Sequence, residues 1–502
     1  MTQIDSEQGS PKARLQPSGV EGLDIVLQGG FLAGGIYIIQ GEPGTGKTIL
    51  GNQICFNHVA RGGKALYVTL LAESHSRMLL HLQGLQFFDV AAIPEKVYYI
   101  SAFTEMQTSG LPGLIRLLRK EALKHNAEIL VLDGLIAAEE QAGSDMEFKK
   151  FIHELQLQCA MLECSMFLLT SSGSRHITAE HTMVDGVLEL SYRLHGWSAQ
   201  RDLRVRKRRG ADFIAGLHAF DITGRGITVF PRIEALPIAM GEHFDRGRIS
   251  SGEAQLDGMM GGGIPRSSTT LLIGAAGVGK TTLGLQFLSE SSPDERGMFC
   301  GFYESPIALR TKADALQLKV SQLLDNADVE IMWNPATEGL IDAVCSELLS
   351  RVKRGRIKRL FIDGMDAMQK LATDDARVGH ILSALTVQLR ALGVTTIYTA
   401  ETENLIGVPG PLSGISIRGV SSIAENVLAM RFVNAGTQLL RIVAVVKVRD
   451  APIDNRVRIF DIGAAGVHVD ESSARAEQVL YPPSTPVLAV PARRTSSDLP
   501  GE

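Results

Sequence analysis

The sequence predicts two tandem α/β domains, each a mostly parallel sheet with helices on both faces. Three observations predict it. A glycine-rich loop occurs twice, "GEPGTGKT" at Gly41–Thr48 and "GAAGVGKT" at Gly274–Thr281, 233 residues apart. A common lead-in precedes each loop, "SGVEGLD" and then glycines in one case, "SGEAQLD" and then glycines in the other. Continuous apolar runs then alternate with segments of helical period in both halves, the pattern of a sheet buried on both faces. A repeat of this length is duplication of a domain, not the period of roughly 20–50 residues of a solenoid.

Along the first half, "ALYVTL", "EILVLD" and "SMFLLT" read as strands, and "GLIRLLRKEALKH" and "EFKKFIHELQLQC" as amphipathic helices. In the second half "MFCGFY", "RLFIDG" and "TTIYTA" answer them, with "GLIDAVCSELLSRVKR" and "VGHILSALTVQLRALG" between. The later pairs, "VLELSY…RDLRVRKRR" and "VLAMRF…LLRIVAVVKVR", read as antiparallel strands added at a sheet edge. The expected organisation is a loose N-terminus at 1–12, a first domain at 13–240 and a second at 241–471. A Pro- and Ser-rich tail at 472–502 is expected to be disordered.

The totals suggest two or three domains. The chain has 502 residues, 45% hydrophobic and 21% charged, the balance of a globular protein. Its formal net charge of -5 gives no global pull toward nucleic acid or anionic membrane. The five cysteines form no CxxC pair and read as reduced thiols. No apolar run reaches the roughly 18 residues of a membrane helix, and the polar start lacks a signal-peptide core. A cytoplasmic location is expected.

Each loop follows a strand and opens a helix. In that setting Gly41, Gly44, Thr45 and Gly46, and likewise Gly274, Gly277, Val278 and Gly279, turn backbone N–H groups around phosphate oxygens at a helix N-terminus. Lys47 and Lys280 reach the β- and γ-phosphates, and Thr48 and Thr281 offer hydroxyls to Mg²⁺. Asp133 and Asp363 end apolar strands 86 and 83 residues after these lysines, where a carboxylate holds a Mg²⁺-bound water. A strand-ending Asp also serves as a helix cap. Glu73 and Glu304 follow the lysines by 26 and 24 residues and are candidates to accept a proton from the nucleophile, or else solvated loop acids. Lys207 with Arg209, and Lys447 with Arg449, each alternate along a strand and so point to one face. Paired cations suit a triphosphate, above all across a subunit border. Charged protection of an edge strand is the plainer reading, and a nucleic-acid contact is a third for Arg201–Arg209.

Loops, aspartates, acids and Lys-x-Arg pairs recur in one order in both halves. With the "SG…LD…GG" lead-in, they make residues 13 to 470 resemble the KaiC family, the circadian-clock branch of the RecA-type ATPases. The resemblance implies a two-tiered ring, usually a hexamer, with ATP and Mg²⁺ bound between neighbouring subunits and Lys207, Arg209, Lys447 and Arg449 reaching the neighbour's nucleotide. It implies a slow ATPase in the first tier and a serine/threonine autokinase in the second, with signalling protein partners. "GISIRGVSSIAENVLAM" is similar to the family's phosphorylated segment and places Ser421 and Ser422 at the acceptor positions. An exposed Ser pair leading into the strand "ENVLAM" is the plainer reading of those residues, since serines are common in turns.

The chain departs from that pattern at named positions. The family carries two consecutive glutamates where this sequence has Ala72-Glu73 and Tyr303-Glu304, and a hydroxyl residue where Gly134 and Gly364 follow the aspartates. The tail from Ser472 does not resemble the family's partner-recruiting terminus. Two other functions therefore stand beside a signalling ATPase: a nucleotide-gated scaffold with vestigial catalysis, and a recombinase-like DNA binder. The net charge and the acidic stretch "DGLIAAEEQAGSDMEF" weigh against the latter.

Overall fold

The computed structural model describes residues 14–70, 75–171, 182–196, 198–238, 247–335, 339–402, 423–449 and 452–480. The chain divides into two compact units. One comprises Met1–Ala239 with Thr337–Ser350 and Gln369–Leu385; the other comprises Met240–Ala336, Arg351–Met368 and Thr386–Glu502.

In the first unit a short pair, β1 (Leu15–Gln16) and β2 (Phe31–Leu32), precedes β3 (Ile36–Gly41), β4 (Ala65–Thr69), β5 (Val97–Ser101), β6 (Ile129–Asp133) and β7 (Ser165–Thr170). Then come β8 (Gly186–His195), β9 (Ser198–Arg208), β10 (Leu217–Thr223) and β11 (Gly226–Phe230). The sheet order is β11-β10-β9-β8-β3-β7-β6-β4-β5. The second unit repeats this plan. A short pair, β12 (Arg248–Ile249) and β13 (Ile264–Pro265), precedes β14 (Thr269–Gly274), β15 (Gly297–Gly301), β16 (Val329–Trp333), β17 (Arg359–Asp363) and β18 (Thr395–Glu401). It closes with β19 (Asn426–Ala435), β20 (Gln438–Lys447), β21 (Arg458–Gly463) and β22 (Gly466–Val469), in the order β16-β15-β17-β18-β14-β19-β20-β21-β22.

Alternation along the strands explains both covered faces. Tyr37, Ile39, Tyr67, Val131, Phe167 and Leu169 point one way, onto Leu50, Ile54 and Phe56 of the helix Lys47–Ala60. Ile36, Ile38, Leu66, Val68, Leu130 and Leu168 point the other way. They meet Leu114 and Leu118 of the helix Phe103–His125 and Phe151, Ile152 and Leu155 of the helix Asp145–Leu162. Each such side chain contributes about 1.5–3 kcal/mol by leaving water, more than an exposed ion pair does. All five cysteines are buried, and none is in a disulfide.

The sequence expectation needs two corrections. "VLELSY" and "VLAMRF" are not edge strands: β8 and β19 run parallel to β3 and β14 and lie directly beside them. Only from β9 and β20 onward does the sheet turn antiparallel. An apolar run cannot tell a central strand from an edge strand, because burial on both faces gives both the same composition. Within the stretch expected as tail, Ala474–Leu480 is a helix whose Ala476 is buried beside Val433, Ile442 and Ile459.

Two local devices are common to both units. The Asp of the lead-in closes a turn: Asp24 accepts from Ser18 N at 2.7 Å and Gly19 N at 3.0 Å, and Asp257 accepts from Ser251 N at 2.8 Å and the Ser250 hydroxyl at 2.6 Å. A buried glutamine then acts as a strand mimic. The Gln53 amide donates to Ile227 O at 3.0 Å and accepts from Ile227 N at 2.7 Å; Gln286 does the same with Val467 at 3.1 and 2.7 Å. The last strand of each sheet is thereby tied to the helix that follows the phosphate loop.

Gln53→Leu or Gln286→Leu leaves a buried N–H and a buried C=O without partners. The expected cost is about 2–4 kcal/mol, with amide protection falling in β10–β11 or β21–β22 of the altered unit. Hydrogen-exchange mass spectrometry checks this.

Candidate functional site

The two glycine-rich loops lie at the carboxyl ends of β3 and β14, between strands that leave in opposite directions through the sheet, where open α/β folds bind ligands. Backbone crowding dictates the first glycine. A Cβ at Gly41 would stand 2.4 Å from Leu190 O of β8, and one at Gly274 would stand 2.6 Å from Met430 O of β19. Gly46 and Gly279 cap the following helices with φ of 102° and 119°, a conformation that favours glycine. Over each sits an isoleucine from the antiparallel extension: an added Cβ would meet Ile222 or Ile462 Cδ1 at 2.7 Å. The buried side chains inside the loops differ, Thr45 bonding Glu42 O at 2.8 Å where Val278 is apolar. Gly44 and Gly277, at φ of 82° and 75°, face open space.

Both lysines fold onto their own loops. Lys47 Nζ donates to Gly41 O at 2.6 Å and Glu42 O at 2.9 Å; Lys280 Nζ donates to Gly274 O at 2.8 Å and Ala275 O at 2.9 Å. Burial pushes each pKa below the usual lysine range, opposed by Asp133 for Lys47 and by Glu401, Asp363 and Asp366 for Lys280. A phosphate oxygen carries negative charge that these carbonyls lack, so it would attract either ammonium more strongly.

Beneath each loop the first helical hydroxyl meets the strand-end aspartate. Thr48 Oγ1 donates to Asp133 Oδ2 at 3.2 Å, and Thr281 Oγ1 donates to Asp363 Oδ2 at 2.7 Å. Residues 85 and 82 positions apart in sequence thus converge in each unit. A second hydroxyl steadies each carboxylate, but from different strands. In the first unit Tyr67 of β4 donates to Asp133 at 2.7 Å; burial and that carboxylate hold the phenol well above its ordinary pKa. In the second, Thr399 of β18 donates to Asp363 Oδ1 at 2.7 Å and accepts from Gly364 N at 2.8 Å. The strand registers put Phe299 where Tyr67 stands, and Leu169 where Thr399 stands. Glycine at 364 has no hydroxyl to offer, and Thr399 supplies one to Asp363.

The remaining candidates separate. Glu73, Ser421 and Ser422 lie outside the described residues. Glu304 is ion-paired to Lys312 of the helix Pro306–Ala315, and its other carboxylate oxygen is buried without a partner. The Lys-x-Arg pairs lie away from the loops of their own units. Lys207 is opposite Val187, which is opposite Ile38, three residues or about 10 Å before Gly41. Lys447, Val427 and Leu271 repeat the relation before Gly274. Lys207 and Arg209 both donate to Thr182 O, at 2.8 and 2.6 Å, and burial lowers the Lys207 pKa with help from Arg209. Lys447 donates to Ala424 O at 2.9 Å, and Arg449 pairs with Glu425 at 3.6 Å. Sequence reasoning missed Tyr67, Thr399, Ile222 and Ile462. Each is brought in by a strand other than the two that carry the motif, so no spacing announces it.

A phosphate loop, a hydroxyl and a strand-end aspartate at the carboxyl edge of a mostly parallel sheet, made twice, define a tandem RecA-like P-loop protein. The family described as "ATPase: KaiC" matches residues 16–234 and 249–474, and the chain belongs to that family. It is 24% identical over 481 residues to the circadian clock oscillator protein KaiC of Picosynechococcus sp., spanning 92% of this chain and 90% of the relative. KaiC 1 of Synechocystis sp. is similar to the same extent, 24% over 481 residues with 92% and 90% covered. KaiC of Rippkaea orientalis is 24% identical over 491 residues, 95% of this chain and 92% of its own. Among the described residues no helix is long and apolar enough to cross a membrane.

Because the carboxylates rest on different hydroxyls, they separate genetically. Thr399→Val should lower Mg²⁺ affinity in the second unit by roughly 10–100-fold and leave the first unchanged, and Tyr67→Phe should do the reverse. Mg²⁺ titrations of fluorescent-nucleotide binding, with the other loop disabled by Lys→Ala, measure each in turn.

Proposed function

We propose that this chain binds ATP with Mg²⁺ in both units, hydrolyses it slowly, and assembles as a ring, most simply a hexamer, with nucleotide at the subunit borders. Its output is conformation and phosphorylation state, with Ser421 or Ser422 as acceptors, read by signalling protein partners. The observation that carries the reading is the doubled contact beneath the loops, Thr48 with Asp133 and Thr281 with Asp363. A hydroxyl and a carboxylate are hard oxygen donors of the kind Mg²⁺ takes, so the donor set fits the ion. Thr48 and Asp133, and Thr281 and Asp363, would hold it. When bound, Mg²⁺ supplies charge neutralisation at the β- and γ-phosphate oxygens. The chain's own part is to present loop N–H groups to phosphate, to turn Lys47 and Lys280 from carbonyls to phosphate oxygens, and to lend cations across the border. The distance of Lys207, Arg209, Lys447 and Arg449 from their own loops supports a role toward a neighbour's nucleotide.

A nucleotide-gated scaffold is the second reading. What favours it is the pairing of Glu304 with Lys312, which leaves that acid engaged, together with Ala72 and Tyr303 at the other acid positions.

Phosphate release should fall by at least tenfold when both Lys47→Ala and Lys280→Ala are present; release equal to wild type excludes hydrolysis at these loops. Native mass spectrometry after incubation with Mg²⁺ and ATP should show a ring-sized particle and added phosphate at Ser421 or Ser422. Arg209→Ala with Arg449→Ala should reduce the particle toward monomer without unfolding it. A scaffold without catalysis would keep the ring and show neither released nor incorporated phosphate.

A further inference from the structure

The two units differ in charge beside the loop lysine. In the second, Gly274 pairs with Glu401, the last residue of β18. In the first, the pairing of β3 with β7 runs to Gln40 and Thr170, so the corresponding position is Ser171. The Glu401 carboxylate lies 3.9 Å from Lys280 Nζ, with 61% of its side chain exposed. Its backbone N–H donates to Asp366 Oδ2 at 3.1 Å, which ties the strand end to the helix Met365–Lys370 that follows Asp363. Among the described residues Lys280 is the cation that faces the Glu401 side chain. On the ATPase reading, bound nucleotide would draw that cation away, because Lys280 would turn to phosphate oxygens. Glu401 is then left at the rim of the loop as an uncompensated carboxylate. Glu304, in contrast, keeps Lys312, and accepting a proton would break that pair.

We propose that Glu401 is the carboxylate that accepts the nucleophile's proton in the second unit, a role for which the first unit has no acid at the matching position. This rests on the ATPase reading above. The nucleophile is water. Its oxygen forms a bond to the γ-phosphorus, and the bond from that phosphorus to the β,γ-bridging oxygen breaks with its electron pair staying on ADP. The proton passes to Glu401 and from there to the released phosphate. The same carboxylate repels the bound triphosphate, so it opposes binding while it serves turnover.

The test uses the full-length chain with Lys47→Ala, so that phosphate release comes from the second unit, and measures kcat and the Kd for ATP separately. Glu401→Gln should lower kcat by about 10²–10⁴-fold while ATP binds at least as tightly as before, and Glu401→Asp should recover part of the rate. Unchanged or raised kcat with tighter binding would make Glu401 a counter-ion to Lys280 and overturn the proposal. Loss of ATP binding in Glu401→Gln would make its role structural and overturn it too. If Lys47→Ala alone releases no more phosphate than Lys47→Ala with Lys280→Ala, the second unit is no ATPase and the underlying reading falls with the proposal. Release that survives Glu401→Gln removes the proposal alone.

Discussion

A hydrogen bond from the first turn of a helix to the end of a neighbouring strand organises each unit. Thr48 and Thr281 follow the loop lysines directly, and Asp133 and Asp363 close β6 and β17. For the two to meet, β7 or β18 must lie between the loop strand and the aspartate strand, and the helix must lie on the sheet at the right height. Phe56, Phe167 and their neighbours secure that height on one face, and the helices of the other face keep the strands in plane. The polar contact is small in energy, and the apolar layers that position it are not.

The two units solve one geometric problem with different side chains. A second hydroxyl on the aspartate comes from β4 in one and from β18 in the other. An acid stands beside Lys280 but not at the corresponding place beside Lys47. The two units keep the same backbone register while the hydroxyl that completes the contact comes from a different strand in each. Equal folds with unequal electrostatics are what a chain needs if its two nucleotide sites are to have separate tasks.

The antiparallel extension belongs to the site as much as the loop does. Ile222 and Ile462 rest over the cap glycines, and Gln53 and Gln286 fasten the strands that follow. The cap glycine and the far edge of the same sheet thus share one packed neighbourhood. On the amino-end side, Lys207, Arg209 and Lys447 hold the backbone that leads into β8 and β19, and Arg449 pairs with the Glu425 side chain there.

Much of this was legible in the linear chain. The doubled loop, the apolar runs and the matched lysine-to-aspartate spacings determined two α/β units, each with a glycine-rich loop between strand and helix and an aspartate at a strand end, because loop, strand and cap chemistry act over a few neighbouring residues. The placement of "VLELSY" and "VLAMRF" in the sheet interior was not legible, since hydrophobic composition carries no neighbour identity. Nor were Tyr67, Thr399 and Glu401, whose side chains reach the site only because β4 and β18 lie where the sheet order puts them. Local chemistry is written in order along the chain, whereas which strands become neighbours is settled by packing in three dimensions.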